Sequence, residues 1–188
     1  MSLTQYYTAT ALDGFIADES HSLEWLFTRE QDRAGPLNYA GFIAGIGALA
    51  MGATTYEWIL DHEFAGKDPA EWNWPYDCPC WVFTHRELQV VPGARIELTS
   101  ADVPIVHAAM VEAAGGKNVW IVGGGDLAGQ FADAGLLDEV IVYIACVTLG
   151  AGAPLLPRRL ELRLEDVQPN GDFAAARYSV VGGLATSD

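Results

Sequence analysis

Apolar residues along the chain fall into short β-prone runs separated by stretches of helical period. Leu3 to Thr10 has the Tyr and Thr usage of a strand, and Ala48-Leu49-Ala50-Met51-Gly52, Cys80-Trp81-Val82-Phe83 and Val119-Trp120-Ile121-Val122 are apolar runs of strand length. Glu139 to Val147 is apolar almost throughout, as expected of a strand covered on both faces near the centre of a sheet. Between these runs the pattern predicts helices from Pro36 through Ile46, from Thr54 onward, over Val103 to Ala114 and from Asp126 to Gly135, with a helical piece around Leu23 to Phe27. Thr54 is the expected N-cap of the second, with Glu57 as its capping-box partner. A short strand is expected over Ala94 to Leu98. The ending differs: Leu160 to Val167 alternates apolar and charged residues, and Phe173 to Val181 follows Pro169-Asn170-Gly171, which predicts an antiparallel hairpin. The expected architecture is α/β, a mostly parallel mixed sheet with an antiparallel C-terminal edge, in one domain spanning residues 1–188.

One junction stands out, Val122-Gly123-Gly124-Gly125-Asp126-Leu127, where a strand breaks into glycines and then helix. Glycines permit positive φ and close backbone approach, and the exposed N–H groups of a helix start, with the dipole behind them, suit a phosphate or pyrophosphate. Asp126 is the expected cap. The alternative is a turn made of glycines for packing. A dinucleotide fingerprint of the G-x-G-x-x-[GA] kind is formally met by Gly123, Gly125 and Ala128, but it requires an acidic residue at the end of the next strand. That strand ends Ala145-Cys146-Val147-Thr148. Met51-Gly52 before Thr54-Thr55, and Phe83 before Thr84-His85-Arg86, are two further candidate anion corners.

Charge narrows the partners. A formal net charge of −15 opposes a nucleic-acid surface, and no polybasic stretch suggests a membrane. The first residues lack a basic region followed by a long apolar run, so a cytoplasmic protein is expected. Cys78, Cys80 and Cys146 have no C-x-x-C spacing, and His21, His62, His85 and His107 are far apart, so no metal site is expected. Asp61 to Pro79 gathers Phe64, Trp72, Trp74 and Tyr76 in an aperiodic stretch, read as a functional lid, an interface or rings covering the core.

Taken in order, Ala11-Leu12-Asp13-Gly14-Phe15-Ile16-Ala17, Met51-Gly52-x-Thr54-Thr55-Tyr56-Glu57, Phe83-Thr84-His85-Arg86, Ile121-Val122-Gly123-Gly124 and Gly135-Leu136-Leu137-Asp138-Glu139 resemble the dihydrofolate reductase superfamily. The run from Leu136 to Glu139 followed by Leu149-Gly150-Ala151-Gly152 is most similar to the RibD C-terminal branch, the reductase domain of riboflavin biosynthesis. The resemblance implies a three-layer fold with helices on both faces, and NADPH-dependent hydride transfer to a small heterocyclic or carbonyl substrate. The reaction would be similar to that of 5-amino-6-(5-phosphoribosylamino)uracil reductase. A dihydrofolate-type reductase and a non-catalytic NADP-binding module are the alternatives. It also implies that Ala11 and Ile16 border the nicotinamide, that Gly52, Thr54, Thr55 and Gly123 to Leu127 hold phosphates, and that Thr84, His85 and Arg86 take the adenosine end. Tyr143 is a candidate for the substrate pocket, or else a core tyrosine with a satisfied hydroxyl.

Two departures qualify the resemblance. Ala53 stands where many relatives carry an Arg, which leaves Arg86 as the main cation for a 2′-phosphate and keeps NADH open as the cofactor. Folate reductases place a carboxylate early in the helix after the first strand. Leu37-Asn38-Tyr39-Ala40 offers none, so no catalytic residue is assigned; Glu24, Glu30 and Asp32 lie upstream. The zinc-deaminase residues of the bifunctional riboflavin enzyme are absent from this chain. A homodimer is expected, from the apolar C-terminal strands, the aromatic stretch and the habit of the resembled branch.

Overall fold

A computed structural model describes residues 2–184. In chain order the elements are β1 (Thr4–Ala11), β2 (Phe15–Ala17), α1 (Glu24–Phe27), α2 (Tyr39–Ala44), β3 (Ile46–Gly52), α3 (Ala53–Phe64), β4 (Cys80–Phe83), β5 (Ile96–Thr99), α4 (Val103–Ala113), β6 (Asn118–Gly123), α5 (Gly125–Asp133), β7 (Glu139–Ala145), β8 (Ala153–Pro154), β9 (Leu160–Asn170) and β10 (Phe173–Gly183). The main sheet has the order β5-β4-β3-β6-β1-β7-β10-β9. From β5 to β7 the neighbours are parallel; β10 and β9 join antiparallel at one edge. β2 pairs with β8 as a separate small ladder.

Period-two alternation explains why the central strands are apolar on both sides. Ala48, Ala50, Val119, Ile121, Val140 and Val142 face one layer, where Val106 and Met110 of α4 and Leu127 and Phe131 of α5 cover them. Leu49, Met51 and Trp120 face the other, beneath Tyr56, Ile59 and Phe64 of α3. That second face continues into Trp25, Tyr143, Ala145 and Phe173, under the segment that carries α1. The result is a three-layer molecule with helices on both faces.

Several local expectations are corrected. The helix expected from Pro36 is shorter, because Leu37 takes φ 55° and Asn38 accepts a bond from Gly41 N at 2.8 Å, so α2 begins at Tyr39. Ile46 is buried and pairs with Asn118, which makes it the first residue of β3 rather than the end of a helix. Thr54 is not an N-cap. Gly52 is, with no side-chain cap bond, and Glu57 turns away to Arg86 instead of closing a capping box. Asp126 does not cap α5 either; Gly124 holds that position at φ 93°. Asp61 to Pro79, expected as a functional lid, an interface or rings covering the core, does cover the core. α3 runs on to Phe64, Phe64 and Trp74 are buried, and the rings stack inward as Phe64 on Trp72 and Tyr76 against Trp120, with centroids 5.1 and 5.7 Å apart.

Candidate active site

In a parallel sheet, ligands bind beyond the carboxyl ends of the strands, where backbone groups and helix starts converge. Here β1, β3 and β6 end beside one another at Ala11, Gly52 and Gly123. Beyond them lies a cleft of about 530 Å³, lined by Ile16, Thr54, Thr55, Glu57, Gly123, Gly124, Gly125, Asp126 and Pro154 among others. α3 and α5 both start at its wall, and neither has a side-chain cap on its first-turn N–H groups. Helix starts without a capping side chain have the donors and dipole that suit an anion without any Lys or Arg.

The glycines show how that wall is built. A Cβ on Gly123 would sit 2.7 Å from Thr55 Oγ1, so this glycine lets α3 close against β6. Gly124 needs its positive φ, and a Cβ there would lie 4.0 Å from Gly52 N, which measures how near the two helix starts come. A side chain on Gly125 would strike the carbonyls of Pro154 and Leu155. Packing therefore explains Gly123 and Gly125, as the alternative reading of the glycine turn expected. Gly52 is different: a Cβ there meets nothing within 4 Å, and the residue, expected at the phosphates, stands at the start of α3 without lining the cleft itself. These features fit a dinucleotide pyrophosphate. Ile16 reaches the cleft as expected, whereas Ala11 and the Leu127 side chain are buried in the core.

Thr84 and His85 line a neighbouring cavity of about 710 Å³ with Ser100, Asp102, Gln130 and Asp133. Arg86 lines neither cavity. Its guanidinium grips Glu57 with two bonds of 2.7 and 3.0 Å. Arg158 bonds Asp126 at 3.0 Å and Asp133 at 2.7 Å. The Gln130 amide, and then Arg158, hold the Asp126 carboxyl below the usual carboxylate range. Arg158 can lie there because position 129 is glycine, where a Cβ would meet its side chain at 2.9 Å.

A further cavity, of about 460 Å³, shares Thr8 and Val122 with the cleft wall. Its lining is aromatic: Tyr7, Phe27, Tyr39, Trp120, Tyr143 and Phe173, with Tyr7 edge-on to Trp120 at 6.3 Å. Arg29, Gln31 and Arg33 line it as well, and no carboxylate does, although the chain has 25 Asp and Glu against 10 Lys and Arg. Neither arginine is ion-paired among the described residues. Burial pushes the Tyr7 phenol well up, with Tyr143 adding to the effect, and raises Tyr39, so both remain protonated at neutral pH. Both readings of Tyr143 meet here. It is buried with its hydroxyl donating to Pro36 O at 2.7 Å, and its ring still faces the cavity.

Two residues that the sequence marks only as members of turns hold these cavities in shape. Asp13 accepts bonds from Leu149 N at 2.9 Å and Gly150 N at 2.7 Å, tying the loop before β8 to the end of β1. Asn170, buried in the β9–β10 turn, bonds Asp32 N at 2.8 Å and Asp32 O at 3.1 Å, which anchors the segment bearing Arg29 and Arg33. Glu24, Glu30 and Asp32 all lie outside the aromatic lining.

The sequence model of the family described as "RibD C-terminal domain" matches residues 4–171. Among curated proteins, the chain is 29% identical to uncharacterized protein YwjB of Bacillus subtilis (strain 168), over 93% of this chain and 96% of that one. Among solved structures, it is similar to a Shewanella sp. PV-4 protein provisionally assigned to riboflavin biosynthesis, with a TM-score of 0.77, 23% identity and coverage of 95% and 98%. It also resembles RibD of Acinetobacter baumannii, with a TM-score of 0.66 and 17% identity, where 96% of this chain covers 58% of the larger one.

Proposed function

We propose, since the chain belongs to the RibD C-terminal domain family of NADPH-dependent reductases, that it reduces a small planar heterocycle carrying an anionic group, with NADPH or NADH as hydride source. The observation that carries this is the aromatic cavity abutting the cleft, with two arginines that form no ion pair and no carboxylate in its lining among the described residues. In so acidic a chain, a carboxylate-free pocket concentrates positive potential where an anion would sit.

NADPH, when bound, supplies the hydride; the protein supplies orientation and a dry pocket. The uncapped starts of α3 and α5, with Thr54 and Thr55, hold its phosphates, and Thr84 and His85 receive the adenosine end. Tyr7, Trp120 and Phe173 stack on a planar ring and exclude water, while Arg29 and Arg33 fix its anionic substituent. The Tyr7 and Tyr39 phenols are proton-bearing groups in the lining, and none of its members is a carboxylate of the folate-reductase kind. The substrate 5-amino-6-(5-phosphoribosylamino)uracil, a pyrimidine bearing a phosphate, matches this chemistry.

Turnover of that compound and of dihydrofolate, followed by loss of the reduced nicotinamide, tests the reading. We expect oxidation with the phosphorylated pyrimidine, and in Arg33→Ala a KM raised about ten-fold or more with kcat little changed. Retained NADPH binding with no turnover of either compound would refute a reductase of this substrate class and leave a nucleotide-binding module.

A further inference from the structure

The Arg86–Glu57 pair sits where cofactor choice would be made. Arg86 follows β4 at the corner beyond Thr84 and His85, and Glu57 lies one turn into α3, in the wall of the anion cleft. Ala53, the first residue of α3, contributes no charge between them. Arg158 is held by Asp126 and Asp133. A 2′-phosphate arriving at this corner therefore finds its guanidinium already engaged through both nitrogens and a carboxylate beside it. A 2′-hydroxyl does not depend on that guanidinium, and the adjoining cavity offers it an acceptor in Asp102.

We infer that Glu57 is a specificity-determining residue: it competes with the cofactor 2′-phosphate for Arg86 and brings NADH into use beside NADPH. This rests on the reductase reading of the cleft. The competition is finite, because Arg86 is 57% and Glu57 38% exposed at the side chain, and an exposed pair shifts an equilibrium by only a few-fold. A guanidinium–phosphate contact is worth about ten-fold or more in affinity, and Glu57 takes back a few-fold of that gain.

Fluorescence titrations of reduced NADPH and NADH against the wild type, Glu57→Gln, Arg86→Gln and the double variant test it, with no turnover needed. The wild type should bind the two nucleotides within about five-fold of each other. Glu57→Gln should tighten NADPH about three- to five-fold and leave NADH within about two-fold. In the Arg86→Gln background the same substitution should change NADPH by less than about two-fold, since the competition no longer exists. A wild-type preference for NADPH beyond about fifty-fold overturns the inference, as does a Glu57→Gln gain that is equal for both nucleotides or survives the loss of Arg86. Binding of neither nucleotide overturns the reductase reading together with it; binding of both without the selective gain overturns the inference alone.

Discussion

Individual residues carry the site in two ways, and only one of them is readable in a sequence. Thr54, Thr55 and the glycines announce themselves because strand, glycine and helix start are adjacent in the chain. Asp13, Asn170 and Arg158 do not, because each acts on a partner far away: Asp13 on Gly150, Asn170 on Asp32, Arg158 on Asp126. Asp13 gives a test at this scale. The N–H groups of Gly150 and Leu149 hold its carboxyl below the ordinary carboxylate range, so the charged form is favoured in the folded state. A depressed carboxylate contributes stability above its unfolded pKa, near 3.9 for Asp, and loses it as the pH falls through the native value. Asp13→Asn should therefore unfold earlier than wild type at pH 7, with the gap between them closing as the pH falls below about 3.9. A gap that stays constant down to acid pH, followed by thermal melts, would show that the two bonds do not depend on charge.

At the scale of elements, periodicity locates the strands of the main sheet because most are buried on both faces, as β3, β6 and β7 are, and misses the short β2–β8 ladder, which has too few residues to show a period. It misplaced helix starts, which depend on backbone geometry. Thr54 and Asp126 have the chemistry of caps, but Gly52 and Gly124 occupy those positions, and leaving them without a capping oxygen is what opens α3 and α5 to an anion. The glycine turn also has to be tested at the right residue. Gly124→Val would block the cleft and strain the chain at once, since φ 93° costs a β-branched residue about 1–3 kcal/mol. Gly52 has φ −79° and ψ 162°, ordinary extended backbone, and open space where a Cβ would stand. Gly52→Leu should keep its fold, with a midpoint lowered by a few degrees at most for about 1 kcal/mol of lost cap preference. Its NADPH affinity should fall about ten-fold or more, because the side chain fills the space between the helix starts. Unchanged affinity in the folded variant would move the pyrophosphate away from this turn.

The whole molecule poses a different balance, between an apolar edge and a large like charge. β9 ends the sheet, and its unpaired side presents backbone donors and acceptors to solvent. Leu162, Leu164 and Val167 stand opposite Val180, Tyr178 and Ala176, so they share one face, and they are 38%, 53% and 53% exposed. An apolar row of this kind on an 11-residue edge strand favours pairing with a second copy by an isologous contact, in which the same patch serves both subunits. Opposing it, each copy carries a formal charge of −15, and repulsion between two such bodies reaches across roughly 30 Å at 0.01 M salt but only about 8 Å at 0.15 M. We therefore expect a homodimer whose dissociation constant falls as salt is raised, the reverse of an interface held by ion pairs. Light scattering across a concentration series at both salt levels should show this, and Leu164→Glu, which places a further charge in the middle of the row, should give a folded monomer. A wild type that is monomeric at high salt and high concentration removes the dimer, and a Leu164→Glu protein that still dimerises removes β9 as its interface.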